Sequence, residues 1–154
     1  MPQFESGCYE LLFMNKEGPV IIIEDDEDDL DLLSDVFREL NYTNEIRFFT
    51  NGVEAFNFLE KTNERPFLIL SDINLPQITG LELREKIHNN EDLRLKCIPY
   101  IFFTTAVDQQ NVINAYSKSI QGFFTKPATI DDLTRVIRNI MEYWKDCHSP
   151  NVIT

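Results

Sequence analysis

Five short apolar runs alternate with five stretches of helical periodicity, and this alternation limits the possible folds more than any other feature of the chain. Val20 to Ile23, Ile46 to Phe49, Phe67 to Leu70, Tyr100 to Phe103 and Gly122 to Phe124 are too short for helices and rich in β-branched and aromatic residues. Val20 to Ile23 and Phe67 to Leu70 are uninterrupted, as expected of strands buried on both faces of a parallel sheet, whereas Arg47 breaks its run and favours an edge position. Leu30, Leu33, Phe37 and Leu40 follow the first run at helical spacing, and Val53, Phe56 and Leu59 follow the second. Leu81, Leu83 and Ile87 follow the third, Val112, Ile113, Ala115 and Tyr116 the fourth, and Leu133, Ile137, Ile140 and Trp144 the last. Asp108 is placed to cap the fourth helix, and Thr129, with Asp132 three residues on, to cap the fifth. Such a chain builds an α/β fold: a doubly wound sheet of five parallel strands, helices on both faces and right-handed crossovers; of the doubly wound orders, 2-1-3-4-5 puts the ends of strands one and three, which carry Glu24, Asp25 and Asp72, beside a switch point.

The length of 154 residues suits one domain, assigned here to 19–145, with an extension at 1–18 and a tail at 146–154. Met14 is an alternative start of translation, and the extension receives no function. No stretch approaches the roughly 18 apolar residues of a membrane span. With no basic amino-terminal region before an apolar core there is no secretory signal, and the cytoplasm is the expected compartment. Cys8, Cys97 and Cys147 are odd in number and far apart, which suggests reduced thiols and no metal cluster. A net charge of −12 argues against a direct nucleic-acid ligand and leaves a basic protein surface or a metal cation as the natural partner.

The carboxyl ends of parallel strands share one edge, where ligands bind at the switch of strand order. Glu24 and Asp25 end the first strand there and Asp72 the third; Asp26 to Asp29 read as a solvated helix start. Carboxylates brought together repel by about 4 kcal/mol per pair at 4 Å and an effective dielectric of 20. A hard divalent cation such as Mg²⁺, which takes oxygen ligands and keeps waters for a phosphoryl substrate, offsets that repulsion. Thr105 after the fourth strand and Lys126 after the fifth add a hydroxyl and an ammonium. Acid, metal, donor and cation together suit phosphoryl transfer, with Asp72 as covalent acceptor. Taken singly each residue has a plainer reading, Asp72 as a turn residue, Thr105 as a strand end and Lys126 as a surface lysine; their coincidence at one edge carries the argument.

In IIIEDDEDD, SDINLPQITG, FFTTA and FFTKP the chain resembles the receiver domain of two-component response regulators, over about Pro19 to Trp144. The resemblance implies the flavodoxin-like form of this sheet and names a site. Asp72 is then the phosphoacceptor. Asp25, Asp72 and the Asn74 backbone carbonyl are the Mg²⁺ ligands, with Glu24 acting through a water. Thr105 and the Ala106 amide contact the phosphoryl group and Lys126 is its salt-bridge partner. The Lys126-Pro127 bond is expected to be cis, and Phe123, equally a core residue, is the aromatic that switches inward. The implied output surface is the fourth helix, fifth strand and last helix. Val107, two residues after Thr105, is expected to hinder the water that would hydrolyse an acyl phosphate.

The resemblance also implies partners: a sensor histidine kinase or histidine phosphotransfer protein upstream, and a protein read in trans downstream, since the ten residues after Trp144 are too few for an output module. Tyr143-Trp144 is compatible with a homodimer or with a helix closing over the core. Phosphorylation and dephosphorylation of Asp72 would be the only chemistry, so the chain is not expected to be a turnover enzyme. Two other readings stand beside this one. A Mg²⁺-dependent phosphohydrolase with an aspartyl nucleophile is disfavoured because Asn74, not an acid, stands two residues after Asp72. A receiver-like scaffold that is never phosphorylated is disfavoured because all the side chains are present.

Overall fold

Strands β1 Val20–Ile23, β2 Ile46–Phe49, β3 Leu68–Ser71, β4 Tyr100–Thr104 and β5 Gly122–Thr125 all pair in parallel, in the order β2-β1-β3-β4-β5. The computed structural model describes residues 16–148, so Cys8, Met14 and most of the extension and tail lie outside the described residues. The helices are α1 Glu27–Leu40, α2 Gly52–Lys61, α3 Gly80–Asn89, α4 Glu91–Leu95, α5 Gln109–Ser117 and α6 Ile130–Asp146. The fourth and fifth helices of the sequence reading are thus α5 and α6. The five-residue α4 escaped that reading because one turn and a half shows no periodicity.

Period-two alternation sends the sheet's side chains into two cores. Val20, Ile22, Leu68, Leu70, Ile101 and Phe103 pack with Leu33 and Phe37 of α1 and Ile137 and Ile140 of α6. Ile21, Ile23, Ile69, Tyr100 and Phe102 pack on the other face with Leu59 of α2, Leu83 and Ile87 of α3, and Ala115 of α5. A strand with both faces covered must be apolar throughout, which is why β1 is buried at every position. The edge strand β2 tolerates Arg47, whose guanidinium lies 4.8 Å from the Phe58 ring and pairs with Glu64 at 2.8 Å.

Each long helix starts on a polar side chain that accepts an otherwise unpaired amide: Asp26 from Asp29, Asn51 from Glu54, Thr79 from Glu82, Asp108 from Asn111 and Thr129 from Asp132. These caps fix where each chain segment turns from the sheet's carboxyl edge into a helix. At the far end Arg84, buried on α3, donates from Nε to the Lys118 carbonyl and from an Nη to the Ser119 carbonyl, tying α3 to the end of α5.

The start of α3 lies close against the chain just past β3. The Gly80 amide donates to the Ile73 carbonyl at 2.7 Å, and its own carbonyl accepts from the buried Tyr100 hydroxyl at 3.2 Å. A Cβ at Gly80 would stand 2.1 Å from the Asp72 carbonyl oxygen and 2.8 Å from the Phe102 ring. A backbone oxygen cannot turn aside as a side chain can, so any larger residue pushes α3 off the end of β3. Gly80→Ala is expected to cost about 1–3 kcal/mol, the range for overpacking, as a lowered urea midpoint with unchanged slope.

Candidate functional site

The hydrogen-bond ladder runs one residue past several strands and levels their functional groups at the carboxyl edge. The Glu24 amide donates to the Phe49 carbonyl, that of Asp72 to Ile23 and that of Lys126 to Thr104, each at 3.0 Å. Glu24, Asp72 and Thr104 are 3%, 8% and 0% exposed. Buried polar groups of this kind require partners.

Asp72 has them on both oxygens. Its Oδ1 accepts from the amides of Ile73 at 2.6 Å and Asn74 at 3.3 Å and from the Thr104 hydroxyl at 2.5 Å. Its Oδ2 accepts from the Lys126 ammonium at 2.8 Å. The same ammonium donates to Glu24 at 2.5 Å and to Asp29 at 2.8 Å, so three carboxylates from β1, α1 and β3 converge on one cation from β5.

Charge and burial set the protonation of the cluster. Burial raises the Asp72 carboxyl, but hydrogen bonds from Lys126 and Thr104 outweigh it and hold the group below its ordinary value. Burial depresses Lys126, and its bonds to Asp29, Asp72 and Glu24 more than reverse that and push it up. For Glu24 the balance goes the other way: burial dominates its bonds to Lys126 and the Asp26 amide and pushes the carboxyl up to about 7. One ammonium does not neutralise three carboxylates, and the most buried of them retains a proton most readily.

Two expectations are corrected. Thr104, not Thr105, is the hydroxyl on Asp72. Strand β4 continues one residue further than its apolar run, pairing Thr104 with Thr125, and Thr105 lies beyond the strand, exposed. Neighbouring residues of a strand point to opposite faces, so a shift of one changes which hydroxyl reaches the acid. The usable signal was position: like Glu24, Thr104 is the first polar residue after its apolar run. The residue two beyond it is Ala106, whose amide donates to the Thr104 hydroxyl at 3.1 Å, and the exposed Val107 is one further on. The second correction concerns Lys126-Pro127, which is trans, as are all peptide bonds among the described residues; this is the isomer an X-Pro bond favours.

Asp29 was missed. Its place in an acidic run suggested solvated charge, and nothing local distinguishes its carboxylate from that of Asp28; only the arrival of Lys126 from the end of β5 does so. Phe123 lies opposite Phe102 across the β4–β5 pair, ring centroids 6.0 Å apart, on the face to which Thr104 also belongs by alternation. Among the described residues no three His, Cys, Asp or Glu side chains converge closely enough to hold a metal as they stand. The donor set nevertheless fits a hard cation, because Asp25 is exposed and, within the described residues, neither its carboxylate nor the Asn74 carbonyl is hydrogen-bonded.

The model of the response regulator receiver domain family matches residues 20–138, a span that encloses every residue of this cluster. The chain belongs to that family. This receiver is 30% identical over 137 residues to a probable methanogenesis regulatory protein, FilR2, of Methanothrix harundinacea (strain 6Ac), covering 85% of this chain and 87% of the relative. It is 31% identical over 135 residues to response regulator Rcp1 of Synechocystis sp. (strain ATCC 27184 / PCC 6803 / Kazusa), covering 84% and 90%. The Mn(2+)-bound form of Rcp1 superposes with a TM-score of 0.74 at 29% identity over 86% of this chain and 99% of that one. The phosphorylated cyanobacterial phytochrome response regulator RcpA shares the fold, with a TM-score of 0.79 at 24% identity over 88% and 99%. Receiver-domain response regulators are signalling proteins that interact with sensor histidine kinases. No described helix of this receiver is long and apolar enough to cross a membrane.

Two outcomes are expected of the receiver's site. Thr104→Val removes a buried hydroxyl that both donates and accepts and should cost about 1–3 kcal/mol in urea unfolding, against less than about 0.5 for the exposed Thr105→Val. The raised Glu24 carboxyl makes a signed prediction about pH. Below 4.5 the group is protonated in folded and unfolded chains alike; between 4.5 and about 7 the unfolded chain ionises first, and folding loses stability. Glu24→Gln has no such loss, so its stability relative to wild type should rise across that window and level off above it, read from urea midpoints at four pH values.

Proposed function

We propose that the receiver accepts a phosphoryl group from a phosphohistidine onto Asp72 and relays its presence to a protein partner. The observation that carries the reading is the asymmetry of the Asp72 carboxylate. Three donors hold Oδ1, whereas among the described residues Oδ2 meets the Lys126 ammonium alone. Backbone amides and a buried hydroxyl fix the carboxylate plane and leave Oδ2 as the nucleophile.

In the step proposed, Oδ2 attacks phosphorus and forms an O–P bond while the P–N bond to the donor imidazole breaks, its electron pair remaining on nitrogen. Lys126 follows the charge from Asp72 onto the phosphoryl oxygens. The Thr104 hydroxyl, released from Oδ1, and the Ala106 amide, released from that hydroxyl, become donors to the same oxygens. Thr105 contributes at most from the rim. A divalent cation, Mg²⁺ in this reading, would be held by Asp25, Asp72 and the Asn74 carbonyl, with Glu24 through a water, and would supply charge neutralisation at the phosphoryl oxygens. The oxygen-only donor set supports it, as does the existence of an Mn(2+)-bound form of Rcp1, a relative at 31% identity.

Withdrawal of Thr104 toward the phosphoryl group would open space on the face shared with Phe123, whose inward rotation would alter the surface of α5, β5 and α6. That surface is the proposed contact for the downstream partner, or for a second copy of the chain. The receiver unit is taken as 19–145, and its proposed compartment is the cytoplasm, where a histidine kinase draws its ATP.

The test is intact mass after incubation with acetyl phosphate, with and without Mg²⁺, on wild type and Asp72→Asn. A Mg²⁺-dependent gain of one phosphoryl group, lost in the variant, is expected. No gain in either protein would leave the scaffold reading, and consumption of donor without accumulation would favour a phosphohydrolase.

A further inference from the structure

The Lys126 ammonium has three N–H donors and spends one on each of Glu24, Asp29 and Asp72. Two of those acceptors belong to the carboxylate set proposed for the cation. The third does not, and it lies on another element. The position of Asp29 is settled independently of the lysine, because its amide donates to the capping Asp26 carboxylate at 3.0 Å in the first turn of α1. The Lys126 side chain is 10% exposed and that of Asp29 36%, so their contact is partly shielded from water. A cavity of about 30 Å³ lies beside them, lined by Asp29, Leu33, Phe103, Lys126, Pro127 and Leu133.

We infer that Asp29 is a positioning residue that holds the Lys126 ammonium toward α1 and so limits how strongly it competes with a divalent cation for Glu24 and Asp72. The inference rests on the phosphoacceptor reading for its purpose, though not for the contact itself. Without Asp29 the ammonium has only Glu24 and Asp72 to satisfy it; it closes on the two carboxylates a cation must share and a cation binds less well. With Asp29 in place, a cation entering the site displaces the ammonium onto a partner already in contact, and no buried charge is stranded during the exchange. Asp29 therefore acts through Lys126 without touching the phosphoryl group. The competing explanation is a general field effect, in which any nearby carboxylate attracts cations equally. Asp28 provides the control, since it is adjacent, exposed and makes no contact with Lys126.

The experiment compares wild type, Asp29→Asn, Asp28→Asn and Asp29→Glu by two measurements. The first is the Lys126 ammonium resonance in side-chain ¹⁵N NMR of metal-free protein. The second is Mn²⁺ affinity by calorimetry. Asp29→Asn should shift the resonance, speed its exchange with water and weaken Mn²⁺ binding about tenfold, the weight of one charge-assisted hydrogen bond. Asp28→Asn should leave the resonance in place and change affinity less than about threefold, the scale of one screened surface charge. Asp29→Glu, which keeps the acceptor, should recover most of the loss. A resonance indifferent to Asp29, with normal Mn²⁺ uptake by wild type, would overturn the inference alone. Equal weakening by the two Asn variants would also overturn it, in favour of the field effect. A wild type that takes up no Mn²⁺ would sink the metal reading and the competition with it, even if the resonance still depended on Asp29.

Discussion

A single ammonium holds the carboxyl edge of this sheet together. Lys126 comes from the end of an edge strand and reaches across to carboxylates on β1, α1 and β3, joining positions as far apart in sequence as 24 and 126. Removing it would leave two buried carboxylates and one half-buried one facing each other, a situation that costs about 3–5 kcal/mol when one buried partner is lost. The cluster holds more carboxylates than cations, and burial above all, with the Asp72 charge a lesser cause, raises the Glu24 carboxyl. An edge built this way is poised to take up positive charge and to exchange one electrostatic partner for another. That property is what the proposed site for a cation and a phosphoryl group needs.

The rest of the fold makes such an edge affordable. Burial of β1, β3 and β4 between two apolar layers fixes the heights of their ends, and amides donating one residue beyond the strands set Glu24, Asp72 and Lys126 at that level. The helix caps mark where each connection leaves the edge and enters its helix. Gly80 lets α3 approach the Asp72 carbonyl, which restrains the loop whose amides grip the Asp72 side chain. Strain at that glycine would therefore reach the acid through backbone, over a short path.

The same edge links the site to a surface. Phe123 and Thr104 belong to the same face of the sheet, and Phe123 packs against Phe102 with α5 beyond it. Beside them the groove between α5, β5 and α6 is lined by Tyr116, Phe124 and Tyr143, with Tyr116 and Tyr143 well exposed. A small motion of a hydroxyl at the edge has only the β4–β5 pair to cross before it meets that groove.

Patterning determined the strands, the long helices and a covered parallel sheet with β2 at an edge; it put Asp72, Glu24 and Lys126 at one edge of that sheet, and the order 2-1-3-4-5 was chosen because it brings the acidic ends together. Those inferences rest on periodicity and on the rule that parallel strands end together, both of which are local or topological. Tertiary structure decided the rest. The choice between Thr104 and Thr105 depends on how far β4 stays paired to β5, a register that adjacent threonines do not encode. Within its own helix Asp29 differs from Asp28 only in the amide that meets the Asp26 cap, and its carboxylate acquires a role only because a lysine nearly a hundred residues away arrives beside it. The trans Lys126-Pro127 bond is likewise unreadable from the dipeptide, since the two isomers differ by about 0.5–1 kcal/mol and the surroundings choose. What the chain leaves open locally is what long-range contacts are strong enough to settle.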